Sequence, residues 1–308
     1  MTNQFENINR VTVPELDAIL GKPFKVLDDG FVRVIDYMGS DESIVQAARV
    51  SYGKGTKKIS QDKGLIRYLM RHMHTTPFEM CEVKLHLRVP MDCWRQWIRH
   101  RTANINEYST RYSIAIDAAQ KTDPTAWRFQ AQKNRQGSEG FVEESQGTAF
   151  SQKEKELHEH ARLVYEERIK AGIAREQARK DLPLSTYTEA YWKIDLQNLL
   201  HFLALRMAPN AQFEIRSYAN TIGDEIVSRW CPITWEAFKE YRSNPISLSQ
   251  VEAEIIRAIQ QKGAEEAIRV ARDFGFLSPP DEEIRPNLER EELEEKLVVL
   301  GIPIPWQK

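Results

Sequence analysis

The sequence predicts an α+β fold in which a mixed or antiparallel sheet is flanked by helices, with a helical C-terminal extension. The clearest observation is residues 81–89 (CEVKLHLRV), where apolar and polar side chains alternate strictly, as in a strand with one buried face. Several other segments repeat apolar residues at helical spacing. Because strands and helices do not alternate regularly and no internal repeat occurs, a parallel βαβ array is not expected.

The first part of the chain is predicted to contain an N-terminal arm, two strands and three longer helices. Residues 1–25 form the arm, with a short helix between Pro14 and Leu20. The elements after it are a strand over 31–38, a helix over 41–50 capped by Ser40, a helix through Leu65, Leu69 and Met73 that Ser60 could cap, the strand over 81–89, and a helix that begins at Pro90.

The second part begins with a segment that cannot bury much surface. Residues 114–152 are rich in Gln, Ser, Gly, Lys and Glu, which indicates a surface insertion. The elements predicted after it are helices over 154–171 and 175–181, a strand over 186–194, a helix over 196–207 capped by Asp195, and a helix from Asn210 to about Trp230. We therefore divide the chain into an arm over 1–25, a catalytic domain over 26–242 and a charged helical extension over 243–308.

Composition limits the classes of partner. The 308 residues carry 43 Lys and Arg against 45 Asp and Glu, so the net charge of -2 gives no general attraction to a nucleic acid polymer or an anionic membrane. Three cysteines without close spacing, an N-terminus without an apolar signal core, and the lack of an apolar run of roughly 20 residues predict a soluble, cytoplasmic protein. Any affinity for phosphate must be local.

Residues 95–113 (RQWIRHRTANINEYSTRYS) concentrate arginines among hydroxyls and amides. The planar guanidinium fork suits a phosphate and the carbonyl edge of a pyrimidine, and Ser109, Thr110 and backbone amides could complete an anion pocket. The alternative is a solvated, salt-bridged turn. Arg99 and Arg101 lie two apart, so they serve one ligand face only if the backbone turns. His100, between two cations, should stay neutral and act in binding rather than as a base.

Other candidate motifs give weaker signals. His72 and His74 precede Cys81 and Cys93, but the spacing does not fit a zinc site, and no metal is expected. Thr76 before Pro77 is typical of a helix start whose amides could hold a ligand. SYGKGTKK (51–58) lacks phosphate-loop spacing, and no G-x-G-x-x-G follows a strand, which disfavours a Rossmann cofactor site.

The segment RHRTANINEYS (99–109) resembles the RHR-x7-S signature of the flavin-dependent thymidylate synthases. The motifs that support the resemblance are, in order, ARVSYG (48–53), HTTPFE (74–79), RQWIRHR (95–101), NEYSTRYS (106–113), AREQARKDLPLSTY (174–187) and LALRM (203–207). It covers about residues 26–240 and implies a fold of that family. It also implies a homotetramer with FAD and shared active sites, which converts dUMP to dTMP with methylenetetrahydrofolate and NADPH.

The resemblance also implies site residues by motif position. Those implied to contact FAD are Thr76, Arg99, His100, Arg101, Glu107, Asp195, Gln197 and His201. Those implied to line the dUMP site are Gln96, Trp97, Ile98, Arg99, Glu107, Tyr108, Ser109, Thr110, Arg111, Arg179 and Arg206. The sequence departs from the family pattern at Ala103, where Ser is common, at Met80, where His is frequent, and at Asp195 and His201, where Asn is common.

Arg206 is the candidate catalytic residue. Methylation at C5 of uracil requires electron density there, and in the family the matching arginine is assigned to the ionisation of N3. The alternative for Arg206 is a structural salt bridge. Cys93 is not expected to act as a nucleophile, since no base lies beside it and its helix turns it toward the core. A rival function is a non-catalytic nucleotide- or RNA-binding protein, whose bases would stack on Trp94, Trp97, Tyr108 and Tyr112.

Overall fold

Alternating buried and exposed residues build the central sheet of the computed structural model, which describes residues 9–50, 62–116, 118–131 and 137–307. The strands are β1 (Phe24–Val26), β2 (Gly30–Met38), β3 (Glu82–Pro90), β4 (Asn104–Glu107), β5 (Phe129–Gln130), β6 (Ser138–Glu139) and β7 (Tyr187–Asp195). Five of them form one sheet in the order β1-β2-β3-β7-β4, and every neighbouring pair is antiparallel. The predicted fold class is confirmed.

The described part of the chain also contains helices, of which the last three belong to the C-terminal segment. They are α1 (Pro14–Asp17), α2 (Asp41–Arg49), α3 (Asp62–Arg71), α4 (Thr76–Glu79), α5 (Met91–Trp97), α6 (Glu144–Lys170), α7 (Arg175–Ala178), α8 (Leu196–Arg206), α9 (Phe213–Thr221), α10 (Ser228–Trp230), α11 (Pro232–Phe238), α12 (Gln250–Lys262), α13 (Ala264–Asp273) and α14 (Leu288–Val299). Short 3-10 turns lie at Pro124–Ala126 and Arg179–Asp181, and π-helical turns at Ile222–Val227 and Lys239–Ser243.

Local signals placed several of these elements correctly. Strand β3 alternates half-buried and buried side chains along its length, as predicted. Ser40 caps α2 by accepting from the Glu42 amide, and Asp195 caps α8 by accepting from the Asn198 amide. Residues 51–58 and the predicted cap Ser60 lie outside the described residues.

Two predicted boundaries were wrong. Helix α6 begins at Glu144, ten residues before the predicted start at Glu154, and so runs into the segment interpreted as an insertion. Its first turns are polar, so no apolar period marked them, yet Gly147 is buried against the Pro124 carbonyl, where a Cβ would clash. Helix α9 begins at Phe213 rather than Asn210, and Gln212 occupies its N-cap.

The chain divides into two compact units between Ser243 and Asn244. The main core cluster of the first unit includes Val13, Leu16 and Ile19, so the described part of the N-terminal segment packs on that core. The second unit has a small core of its own between its three helices, around Ile255, Leu293 and Leu297.

Candidate active site

The Arg-His-Arg segment lies in the turn between α5 and β4. Trp97, at the end of α5, is fully buried among the rings of Trp192, Phe202 and Tyr218, and the His100 amide donates to the Trp97 carbonyl at 3.0 Å. This anchor fixes the turn from one side. Arg99 and Arg101 are exposed, whereas the ring of His100 is half-buried.

His100 is held by the last residue of α8. Arg206 Nε donates to His100 Nε2 at 3.1 Å, and Phe202 meets the imidazole edge-on at 4.9 Å between ring centroids. Burial, and then the charges of Arg206 and His201, lower the pKa of His100 to about 4. The prediction of a neutral histidine is confirmed, but the cation that acts on it is Arg206 rather than its sequence neighbours. Because Nε2 accepts, the proton sits on Nδ1.

Arg206 is a half-buried cation that no carboxylate of the described residues neutralises. Burial lowers its pKa, and within the described ranges it forms no ion pair. The structural salt bridge that was the alternative for this residue is therefore absent from the described part of the chain. A charge desolvated without an opposite partner costs free energy, which a bound anion would recover. The Nε group is used by His100, so the two terminal nitrogens stay available for a ligand.

A second group of predicted residues meets where the loop after β4 reaches α7. Arg179 donates to the hydroxyl of Thr110, and the Ser109 hydroxyl accepts from the Arg111 amide at 3.3 Å. Arg111 lies 3.8 Å from Glu176, but both side chains are more than half exposed, so this pair contributes little. The hydroxyl and guanidinium groups that meet here are hydrogen-bond donors suited to binding an anion.

The residues just before this loop are positioned by the edge of the sheet. Strand β4 pairs with β7, and the Tyr108 amide extends that pairing by donating to the Glu189 carbonyl at 2.7 Å. Glu107 accepts from the Thr188 hydroxyl at 2.9 Å, and the Tyr108 hydroxyl donates to the Ile114 carbonyl at 2.8 Å. The strand therefore presents Glu107 and Tyr108 next to Ser109 and Thr110.

Some predicted ligand contacts have other roles in the structure. Trp97 has no exposed surface. Both carboxylate oxygens of Asp195 are bonded to Asn198, at 2.9 and 2.7 Å, which makes this residue a helix cap.

Other predicted ligand contacts are accessible to different degrees. Ile98 is 39% exposed. Thr76 is exposed at the start of α4 and lines a cavity of about 650 Å³. Of the two remaining residues on α8, Gln197 is half-buried and His201 is exposed.

The structure thus brings the predicted residues together in two groups. One contains His100, His201 and Arg206, and the other contains Ser109, Thr110 and Arg179. Within a single chain, no hydrogen bond joins the described residues of one group to those of the other. Sequence reasoning missed Gln212, which accepts from Gln96 Nε2 across a separation of 116 residues and had no local signal.

Neither a cluster of possible metal ligands nor a helix that could cross a membrane occurs in the described part of the chain. No group of three or more His, Cys, Asp or Glu residues is arranged there to hold a metal ion. None of its helices combines the length and the apolar character needed to span a bilayer. Cys81, Cys93 and Cys231 are free and buried.

Fold and site together define an α+β protein with cationic side chains gathered at the ends of α5 and α8, a class suited to anionic ligands. The family model described as "Thymidylate synthase complementing protein" matches residues 33–233. The flavin-dependent thymidylate synthase of Rickettsia prowazekii is 53% identical over 262 residues, covering 80% of this chain and 88% of that protein. The same enzyme of Wolbachia pipientis is 52% identical over 258 residues, covering 82% and 89%. The chain belongs to the flavin-dependent thymidylate synthase family.

Solved structures agree with this assignment. The UMP/dUMP methylase PolB from Streptomyces cacaoi, bound to 5-Br dUMP, superposes with a TM-score of 0.64 at 29% identity, covering 71% of this chain and 99% of that chain. The same methylase bound to 5-Br UMP gives the same TM-score at 30% identity, covering 72% and 99%.

Proposed function

We propose that this protein converts dUMP to dTMP by reductive methylation, with methylenetetrahydrofolate as carbon donor and NADPH-reduced FAD as hydride source. The observation that carries the proposal is Arg206, a half-buried guanidinium bonded to a neutral imidazole and without a carboxylate partner in the described residues. Membership of the family and the likeness to a dUMP methylase support the choice of substrate.

Arg206 is the residue that would activate the pyrimidine. Methylation at C5 needs electron density on that carbon, and a fixed positive charge near N3 and the ring oxygens stabilises the anionic form of the ring. His100 holds the guanidinium by its Nε, so the terminal nitrogens are already oriented before a ligand binds. Such preorganisation avoids a reorganisation cost during the reaction.

The phosphate of dUMP would bind at the second group. Ser109, Thr110 and Arg179 offer hydroxyl and guanidinium donors, and Arg111 adds an exposed charge whose ion pair with Glu176 is weak. Gln96, Glu107 and Tyr108 complete the proposed nucleotide contacts. The serine has no general base beside it among the described residues, so we assign it to phosphate binding rather than to nucleophilic attack.

The residues near the Arg-His-Arg turn fit a flavin dinucleotide by their chemistry. Arg99 and Arg101 are exposed and form no ion pair with described residues, so their charges are available to a pyrophosphate. Thr76, Gln197 and His201 add polar groups that are at least partly accessible. When bound, FAD supplies the hydride. The carboxylate of Asp195 is occupied as a helix cap, so we assign it to holding the start of α8 and not to a direct flavin contact.

We further propose that the active site is completed by other copies of the chain in a homotetramer. The two arginine groups make no mutual hydrogen bond within one described chain, and Arg99 and Arg101 are exposed. If one ligand contacts both groups, separate subunits would supply the two groups to it. Three free cysteines, all buried, support a reducing compartment, and we assign the activity to the cytoplasm.

The rival reading as a nucleic-acid-binding protein loses its stacking platform. Trp94 and Trp97 are buried, which leaves Tyr108 and Tyr112 as the accessible aromatic residues of the segment.

Purified protein should show a flavin absorption spectrum, oxidise NADPH in a dUMP-dependent manner and form dTMP when methylenetetrahydrofolate is present. Protein that binds single-stranded RNA but carries no flavin and forms no dTMP would contradict the proposal.

A further inference from the structure

The loop between Tyr108 and Ala115 carries the hydroxyls of the second group and is anchored at both ends. At its start, the Tyr108 amide donates to the Glu189 carbonyl at 2.7 Å, which continues the pairing of β4 with β7. At its end, Ala115 is 3% exposed and is the one buried residue in the fully described stretch 104–116. The positions of the hydroxyls therefore depend on how firmly Ala115 is held.

A tyrosine of α6 holds Ala115. The Ala115 amide donates to the Tyr165 hydroxyl at 2.9 Å, and both residues are buried. Arg162, three residues earlier on α6, donates to the Ala115 carbonyl at 3.2 Å, and its guanidinium lies 5.2 Å from the centre of the Tyr165 ring. Helix α6 thus binds both polar backbone groups of Ala115, and loss of the tyrosine hydroxyl would leave a buried amide unsatisfied.

The same face of α6 holds the guanidinium half of the second group. Arg168, three residues after Tyr165, donates to the Ala178 carbonyl at 3.3 Å. Ala178 directly precedes Arg179, whose guanidinium donates to the Thr110 hydroxyl. The start of the turn that carries Arg179 is therefore fixed to the helix that also fixes the loop.

Tyr165 joins the two anchors in one small core. Tyr165, Ala115 and Ala178 are buried together in a cluster separate from the main core. Tyr165 is also the one large side chain that α6 buries, since Gly147 is the other buried residue of this fully described helix. The spacing between the loop and the turn after Ala178 therefore depends on this one ring and its hydroxyl.

We propose that Tyr165 is a positioning residue for the nucleotide phosphate, because it sets the spacing between the loop hydroxyls and the Arg179 guanidinium before a ligand binds. Donors that are already in place give a phosphate charge-assisted hydrogen bonds without an ordering cost. Tyr165 is 1% exposed, so it acts through Ala115 and Ala178 and not by direct contact. The inference rests on the proposed function, which assigns the phosphate of dUMP to the second group.

The test compares dUMP with deoxyuridine, which lacks the phosphate, by calorimetry on purified flavin-loaded protein. The ratio of the deoxyuridine to the dUMP dissociation constant measures what the phosphate adds to affinity. Tyr165→Phe keeps the ring and removes the acceptor of the Ala115 amide, so this ratio should fall about tenfold, the size of one net hydrogen bond. The deoxyuridine constant, and kcat at saturating dUMP, should stay near those of wild type.

Tyr37→Phe is the matched control. Tyr37 is another buried tyrosine whose hydroxyl accepts from a backbone amide, that of Val13 at 2.6 Å, but it belongs to the main core. This variant should lose a comparable amount of thermal stability and keep the wild-type ratio. Arg168→Met tests the other anchor independently: it removes the bond to the Ala178 carbonyl and should also lower the ratio.

An unchanged ratio in Tyr165→Phe, including an equal weakening of both ligands, would overturn the positioning role while the proposed function stands. An equal fall of the ratio in Tyr37→Phe would overturn it too, since the ratio would then follow stability alone. If Tyr165→Phe does not fold, an unchanged ratio in Arg168→Met decides against the role in the same way. Wild-type protein that binds dUMP no better than deoxyuridine would instead overturn the proposed phosphate site, and the role of Tyr165 with it.

Discussion

Replacing Arg206 by Met should separate catalysis from stability. The change removes the hydrogen bond to His100, which as a bond from a charged donor contributes about 1.5–3 kcal/mol. It also removes a half-buried cation whose desolvation costs free energy of similar size, because no carboxylate compensates it among the described residues. The two effects oppose each other, so the free energy of unfolding should change by no more than about 1 kcal/mol. For a unit of this size that corresponds to a shift in Tm of at most about 4 °C.

Catalysis should respond very differently. Loss of a preorganised charge at the reacting ring costs about 10²- to 10³-fold in kcat, or about 2.7–4 kcal/mol. The assay is dTMP formation at saturating substrates, measured beside a thermal melt of the same preparation. Arg88→Met is the control: it removes a cation that does have carboxylate partners, Asp29 and Glu189, so it should destabilise by about 1–3 kcal/mol and leave kcat near that of wild type.

A large loss of stability in Arg206→Met would refute this reasoning. Breaking a true buried ion pair costs about 3–5 kcal/mol, and a value in that range would mean that Arg206 has a structural partner. Near-normal turnover would remove its catalytic assignment.

Three further predictions concern single residues. Because the pKa of His100 is lowered to about 4 from an unfolded value of about 6.5, its contribution to stability is complete above pH 6.5 and is lost as the pH falls toward 4. In urea titrations, the free energy of unfolding should therefore fall less between pH 7 and pH 5 for His100→Gln than for wild type. Equal decreases would contradict the pKa shift. Burial raises the pKa of the Cys93 thiol, which suppresses the nucleophilic thiolate, so Cys93→Ser should retain dTMP formation; complete loss in folded protein would revive a cysteine mechanism. Asp195→Ala should lower the free energy of unfolding by about 1 kcal/mol through loss of the cap, with full flavin occupancy at saturating FAD, whereas lost flavin binding at unchanged stability would show a direct contact.

Local chemistry made much of the fold predictable. The strict alternation in β3, the serine before α2 and the aspartate before α8 each act within a few residues, so the sequence pattern carries the information. The neutral state of His100 could also be predicted, since any nearby cation disfavours its protonation. Its true neighbour, Arg206, lies 106 residues away, and that pairing needed the fold.

Other features depend on contacts that no local pattern reveals. Strand β4 is short, and all four of its residues are exposed, so it shows no alternation. The first turns of α6 are polar, and their placement depends on the contact of Gly147 with Pro124. Trp97 lies within the motif, and only the fold shows that its side chain is a core residue that anchors the turn. The hydrogen bond from Gln96 to Gln212 joins α5 to the N-cap of α9 and is visible only when these helices are packed together.

In the proposed function, guanidinium groups distant in the sequence hold a pyrimidine monophosphate beside a flavin. A crystal structure of the assembled protein with FAD and dUMP measures this directly. We expect the terminal nitrogens of Arg206 to contact the uracil ring, Arg179 and Thr110 to contact the phosphate, and Arg99 to contribute from a neighbouring copy. Electron density for dUMP at a site that none of these arginines reaches would contradict the account.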